Sequence, residues 1–203
     1  MKATITKLQN SVQGYQPIEG TAQDMFQHKT TADCFAYAYG FLTYRNEQIR
    51  SLGVCLLGRI AVKNPRALQV LRQEVSTDTS QRVQEALVRA FDYYCSTVGH
   101  AHALPVMVDW LQSDEPTVCK AAIRSISHAR NDSFFRKYPE VAIQLIAGKR
   151  FLDDDDLQQT LALALHQLRQ LDNDAVTAEL NSWDRSIPEV QSTYEKTLHY
   201  LTN

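Results

Sequence analysis

The chain has 203 residues, of which 44% are hydrophobic and 22% are charged, and its formal net charge is −2. This composition is typical of a globular protein with a sizeable core, and only 7 Gly and 6 Pro leave little material for the many turns of a β-sandwich. No stretch approaches the roughly 20 apolar residues of a membrane span, and the first residues lack the apolar core of a secretory signal.

Helical periodicity dominates the sequence and indicates an all-α protein. Residues 1–44 are expected to hold two or three helices, one of them at about 31–44. From Ile49 to Ile60 the apolar residues then follow one helical face, at steps of three and one. No segment shows sustained alternation with a period of two, so we expect essentially no strands.

The apolar stripe that begins at Ile49 recurs three times along the chain. The later copies begin at Val83, Val118 and Leu157, so that successive stripes lie 34, 35 and 39 residues apart. This period is at or just under that of HEAT-type helical repeats. Acidic or hydroxyl-bearing residues precede every stripe, where they satisfy free amides and complement the helix dipole. These residues are Asn46 and Glu47, Ser80, residues 115–117, and the four aspartates at 153–156.

Shorter helices are expected between the stripes, at about 65–76, 101–113, 138–147 and 173–183, with a last helix at about 187–202. Pro65 and Pro105 are predicted to lie in first helical turns, where the missing N–H costs nothing.

The repeats predict a single HEAT-like domain over residues 1–203, with N-terminal helices at 1–44 and repeats at 45–203. One helix pair cannot bury its apolar face alone, whereas stacked pairs share a continuous core. The expected fold is therefore an α-α superhelix, a short solenoid with a concave face. We expect the helices that begin near 49, 83, 118 and 157 to line that face.

Charge is unevenly distributed along the chain. Residues 45–150 hold 15 Lys/Arg against 10 Asp/Glu, whereas the remaining residues hold 6 against 13. A basic middle with acidic ends suits an anionic partner.

The four cysteines are far apart and form no CxxC pair, which predicts buried free thiols in a reducing cytoplasm.

Four stretches of the sequence resemble one family. They are residues 49–54, 82–95, 103–111 and 179–184, and the likeness covers about residues 45–200. The Arg-Val-Gln-Glu stretch at 82–85, followed by Phe-Asp at 91–92, is its most specific part. In these residues the chain resembles the DNA alkylation repair proteins related to the alkylpurine glycosylase AlkD.

The resemblance implies a function in DNA alkylation repair. It implies that a concave basic groove binds alkylated double-stranded DNA, and that a carboxylate helps hydrolyse the N-glycosidic bond of N3- or N7-alkylated purines. The family's catalytic Asp matches Glu85, and a family Arg matches Lys120. The family's two Trp positions fall on Gln81 and near Leu163, and a further Arg falls near His166, so the aromatic pair is absent.

Each candidate residue has a structural alternative. The resemblance makes Glu85 the catalytic residue, but Glu85 is also a candidate for helix capping or for a salt bridge to Arg82 or Arg89. Five basic residues are candidates for DNA binding through phosphates, and equally for ordinary solvated charges or bridges between repeats. These five are Arg50, Arg82, Arg89, Lys120 and Arg124.

The alternative function is a non-catalytic HEAT-repeat scaffold that binds DNA or a protein partner. No nucleotide-binding motif is present, and we expect no cofactor. His100 and His102 lack a third ligand, and the aspartates at 153–156 lack the Gly and terminal Glu of a calcium loop, so we expect no metal. Trp110 and Trp183 are predicted to be packing anchors.

Overall fold

The computed structural model describes residues 14–202, apart from the side chain of the last of these. Over this range the chain forms twelve α-helices and no strand, which confirms the predicted all-α class. The helices are α1 Gln16–His28, α2 Thr31–Leu42, α3 Glu47–Ala61, α4 Pro65–Gln73, α5 Gln81–Val98, α6 His100–Leu111, α7 Pro116–His128, α8 Ser133–Lys137, α9 Pro139–Ala147, α10 Asp155–Leu168, α11 Asn173–Asn181 and α12 Pro188–Thr202.

The repeat spacing is visible in the helix starts. Helices α3, α5, α7 and α10 begin at residues 47, 81, 116 and 155, which reproduces the predicted spacing of the four stripes. Asn46 and Asp154 cap α3 and α10, because their side chains accept hydrogen bonds from backbone amides of the first turn. Glu115 makes no such bond, and α7 instead begins with Pro116 at its first position. The Ser80 hydroxyl donates to Glu47 at 2.6 Å.

One local prediction is wrong, and one short helix was not predicted. Pro105 lies inside α6 rather than in its first turn, because Gly99, with φ 85°, ends α5 and allows α6 to begin at once at His100. The five-residue helix α8 was not predicted, since it is too short to show a period. Part of the predicted N-terminal helical region, residues 1–13, lies outside the described residues.

The chain divides into two compact units, residues 1–98 and 99–203. The prediction of one domain over residues 1–203 stays a prediction. In the first unit α3 contacts α1, α2, α4 and α5, and 11 of its 15 residues are buried. Helix α3 is therefore the centre of this unit. The position on the inner face that we expected for α3 stays a prediction.

Two glycines allow the neighbours of α3 to approach closely. A Cβ added at Gly53 would lie 2.7 Å from the carbonyl oxygen of Ala38 in α2. A Cβ added at Gly58 would lie 2.7 Å from both the Cα and the Cβ of Ala90 in α5. These distances are below van der Waals contact, so only glycine permits the observed spacing of the helices at these crossings.

The second unit is built around α7 and α10, which contact each other. Helix α6 packs against α7, α9 against α10, and α12 against α10. Trp110 of α6 is 1% exposed, and Trp183, after α11, is 5% exposed. Both tryptophans are buried, as the packing-anchor prediction requires.

All four cysteines are free and buried, as predicted. Burial raises the pKa of Cys55 to about 12, because the interior disfavours the thiolate. A buried neutral thiol is a poor nucleophile and a poor metal ligand, so Cys55 contributes packing rather than chemistry.

Candidate functional site

A cavity of about 370 Å³ opens at the start of α5 in the first unit. Three parts of the chain supply its walls: the residue before α1, the first residue of α3, and the first turns of α5. The lining residues are Tyr15, Glu47, Ser80, Gln81, Arg82 and Glu85. The cavity thus brings the predicted carboxylate together with one of the predicted arginines.

Glu85 is half-buried in this cavity. Among the described residues its carboxylate has no hydrogen-bond or ion-pair partner, so the alternative of a salt bridge to Arg82 or Arg89 is not realised there. The other carboxylate of the cavity, Glu47, accepts from Arg82 and from Ser80. Glu85 is therefore the carboxylate of this cavity that is available to a ligand, whereas Glu47 already accepts hydrogen bonds within the fold.

Tyr15 supplies an aromatic ring that the sequence did not indicate. Its hydroxyl donates to the backbone carbonyl of Arg82, and its ring lies under two guanidinium groups. The Arg89 guanidinium carbon is 4.5 Å from the ring centroid and that of Arg82 is 5.7 Å away. Burial first, and then the charge of Glu85, raise the pKa of Tyr15 to about 12. The phenol therefore stays protonated at every physiological pH.

Three of the predicted DNA-binding residues are paired with carboxylates of the same unit. Arg82 bonds Glu47 at 3.2 Å and Arg89 bonds Glu19 at 3.1 Å. Lys120 bonds Asp156 at 2.5 Å. Each pair joins two helices of the repeat stack, which corresponds to the predicted alternative of bridges between repeats. An anionic ligand must displace a carboxylate to reach these cations.

Arg50 makes more hydrogen bonds within the fold than the other predicted DNA-binding residues. Its Nε and Nη2 bond the two carboxylate oxygens of Asp78 at 2.6 and 3.1 Å, and its Nη1 donates to the carbonyls of Tyr44 and Arg45. The side chain is 17% exposed. Four of the five N–H donors of the guanidinium are therefore used within the fold, and the prediction of a phosphate contact does not fit this geometry.

Arg124 on α7 differs from the other four. It is half-buried, and its guanidinium has no ion-pair or hydrogen-bond partner among residues 14–202. It is thus the one member of the predicted set whose charge no described carboxylate neutralises.

A second cavity of about 250 Å³ lies further along α5. Its lining includes Arg59 of α3 and Arg89, Asp92 and Tyr93 of α5. The Arg59 guanidinium carbon is 4.8 Å from the centroid of the Tyr93 ring. Tyr93 therefore faces Arg59 in this second cavity, and it does not replace an aromatic residue beside Glu85.

No protein-family model matches the sequence, and no curated protein matches it. Among solved structures, AlkD2 from Streptococcus mutans matches with a TM-score of 0.90 and 25% identity, over 97% of this chain and 96% of that chain. The chain therefore has a helical-repeat fold similar to that of AlkD2. A second match, smu.31 from Streptococcus mutans UA159, has a TM-score of 0.84 and 27% identity over 89% of both chains.

The chain departs from the pattern of the AlkD-related family at the positions noted in its sequence. Gln81, in place of an aromatic residue, is exposed at the mouth of the Glu85 cavity. Leu163 on α10 is 39% exposed. His166 lies on the same helix, with its ring 6.2 Å from that of Tyr200. In the first unit, the Tyr15 ring contacts Arg82 of this cavity and also Arg89.

The remaining candidate groups have structural roles. Among the described residues, no group of three or more His, Cys, Asp or Glu side chains is arranged to hold a metal ion. His100 is buried beside Asp132 at 3.0 Å. Within the acidic run, Asp154 caps α10 while Asp155 and Asp156 bond Lys196 and Lys120. That run is therefore the predicted charge cluster at a helix N-terminus.

Within residues 14–202, no helix combines the length and the apolar character that a membrane crossing requires.

Proposed function

We propose that this AlkD-like protein acts in DNA alkylation repair and that its substrate is alkylated double-stranded DNA. The proposal is supported by the likeness to AlkD2 along 97% of the chain, together with the family resemblance of residues 45–200. The expected compartment is a reducing cytoplasm, which four free buried cysteines favour.

The reaction that fits the cavity is hydrolysis of the bond between deoxyribose and an N3- or N7-alkylated purine. Such a purine is cationic and therefore a good leaving group, and its departure leaves positive charge on the sugar. A fixed carboxylate stabilises that charge electrostatically and orients the attacking water. Glu85 is assigned this role. The observation that carries the assignment is that its carboxylate is unpaired among the described residues, whereas Glu47 in the same cavity is engaged.

Phosphate contacts are assigned to Arg82, Arg89, Lys120 and Arg124. Arg89 is half exposed, so a phosphate can exchange for Glu19 without disturbing the core. Arg50 is left out of this set, because Asp78 and two carbonyls already hold its donors. No cofactor or metal takes part in the proposed reaction.

Release of free base from duplex DNA tests the proposal. The substrate carries 7-methylguanine or 3-methyladenine, and the released base is quantified by chromatography. We expect Glu85→Gln to reduce release by about 10²-fold or more, the usual cost of losing one electrostatic group at a transition state. Glu47→Gln is the matched control, because it neutralises the paired carboxylate of the same cavity. An inactive wild type would refute the enzymatic function, and an active Glu85→Gln would refute the site.

Two observations favour a second function, a non-catalytic scaffold for DNA or a protein partner. Four of the five predicted DNA-binding cations are paired with carboxylates, and Gln81 stands where the family has an aromatic residue. A salt titration of duplex affinity separates the alternatives. Binding of phosphates by the four assigned cations gives a log–log slope of roughly −3 to −4. Absence of duplex binding at low salt would leave the protein-binding scaffold.

A further inference from the structure

The unpaired positive charge of the second unit is concentrated in residues 124–150, here called the basic segment. It holds six Lys/Arg and two Asp/Glu, a balance of +4, in a chain whose total is −2. Its cations are Arg124, Arg130, Arg136, Lys137, Lys149 and Arg150. The segment runs from the end of α7 through α8 and α9.

Carboxylates do not neutralise the cations of the basic segment, whereas they neutralise most of the predicted DNA-binding residues. Among the described residues, none of the six forms an ion pair with a carboxylate, whereas Arg50, Arg82, Arg89 and Lys120 all do. Of the two acidic residues in the segment, Asp132 is already engaged: it caps α8 and contacts His100. Glu140 in the first turn of α9 is the other.

Two of these cations rest on aromatic rings instead. The Lys137 ammonium is 5.1 Å from the centroid of Tyr138, and the Arg150 guanidinium is 4.6 Å from that of Phe151. Tyr138 and Phe151 are themselves 39% and 52% exposed. A ring contact restricts a long side chain without cancelling its charge, unlike a carboxylate contact. Such cations remain able to bind an anion and lose less side-chain entropy when they do.

The backbone beneath these side chains is well anchored. Asp132 accepts hydrogen bonds from the amides of Phe134 and Phe135 at the start of α8. Phe135 is fully buried, and α8 contacts α6, α9 and the short 3₁₀ turn Ala129–Asn131. The exposed residues Arg130, Arg136 and Lys137 are therefore presented on an ordered surface.

We propose that the basic segment is a phosphate-binding surface for the backbone of duplex DNA, additional to the Glu85 cavity. The choice of DNA as the partner rests on the proposed function. Charge complementarity supports it, since unpaired cations that contact phosphates release condensed counterions. The aspartates at 153–156 follow the segment directly and limit the surface at that end, because they repel phosphate.

Duplex affinity of the full chain as a function of salt tests this surface. The variant Arg136→Glu/Lys137→Glu is compared with Arg45→Glu/Arg66→Glu, which changes the net charge equally at exposed arginines of the first unit. Fluorescence anisotropy with an unmodified duplex is the readout. We expect the first variant to weaken binding by about 10- to 100-fold at low salt and to reduce the log–log slope by about 2. The control variant is expected to keep the wild-type slope.

Equal slopes for the two variants would overturn the inference. Arg136→Gln/Lys137→Gln provides a second, milder variant, and circular dichroism melting confirms that both are folded. Binding of wild type to phosphatidylglycerol vesicles but not to duplex DNA would also overturn it, in favour of a membrane surface. Duplex binding that depends on this segment, without release of base, would leave the inference standing while the enzymatic function fails.

Discussion

Gly58→Ala tests the packing that positions the candidate site. The new Cβ would lie 2.7 Å from the Cα of Ala90 and 2.8 Å from its carbonyl oxygen, and a backbone cannot move aside as a flexible side chain can. Overpacking of this kind costs about 1–3 kcal/mol, and the better helix propensity of alanine offsets about 1 kcal/mol of it. We expect a net loss of up to about 2 kcal/mol and a fall in Tm of up to about 8 °C.

Gly40→Ala is the matched control for this substitution. Gly40 is also inside a helix, α2, but a Cβ there meets nothing within 4 Å. Only the propensity effect remains, so this variant should be as stable as wild type or more stable by up to about 1 kcal/mol. Thermal melting of both variants by circular dichroism checks the pair. A Gly58→Ala variant as stable as Gly40→Ala would refute the close approach of α3 and α5.

Three further predictions concern single groups. Because the pKa of Tyr15 is raised from 10.0 to about 12, its contribution to stability should be complete below pH 10 and lost as the pH rises through 12. The difference in urea midpoint between wild type and Tyr15→Phe should therefore change at high pH, and a constant difference would contradict the shift. Asp78→Asn removes the charge that holds Arg50 and should lower the free energy of unfolding by about 1–3 kcal/mol, measured by urea denaturation; an unchanged midpoint would argue against the pair. Finally, Cys55 should fail to react with Ellman's reagent in the native protein and react fully in denaturant, and rapid native labelling would contradict its burial.

The helix starts could be predicted because their causes are local. Asn46 and Asp154 bond amides two or three residues away, and the apolar stripes need only neighbouring turns. Helix α8 was not predicted, because its five residues are too few to show a helical period of apolar residues.

The candidate site was less predictable, since its decisive contacts join distant residues. Glu85 was found through resemblance, but Tyr15 lies 70 residues earlier, and nothing in the sequence brings the two together. Arg50 was predicted to bind DNA, because its partner Asp78 is 28 residues away and the sequence alone does not show this pairing. Charge at a sequence position does not reveal whether a carboxylate already neutralises it. That distinction requires the fold, in which Arg50 is paired with Asp78 whereas Arg124 has no ion-pair partner among the described residues.

The enclosure of α3 has a consequence for how this protein tolerates change. Because four helices contact α3, and Gly53 and Gly58 leave no room at two crossings, its sequence has very few acceptable substitutes. The ion pairs that surround it, by contrast, involve long side chains near the surface whose partners can be exchanged at little cost. The surface charge at Glu19, Glu47, Arg82 and Arg89 can therefore change while the sequence of α3 stays the same.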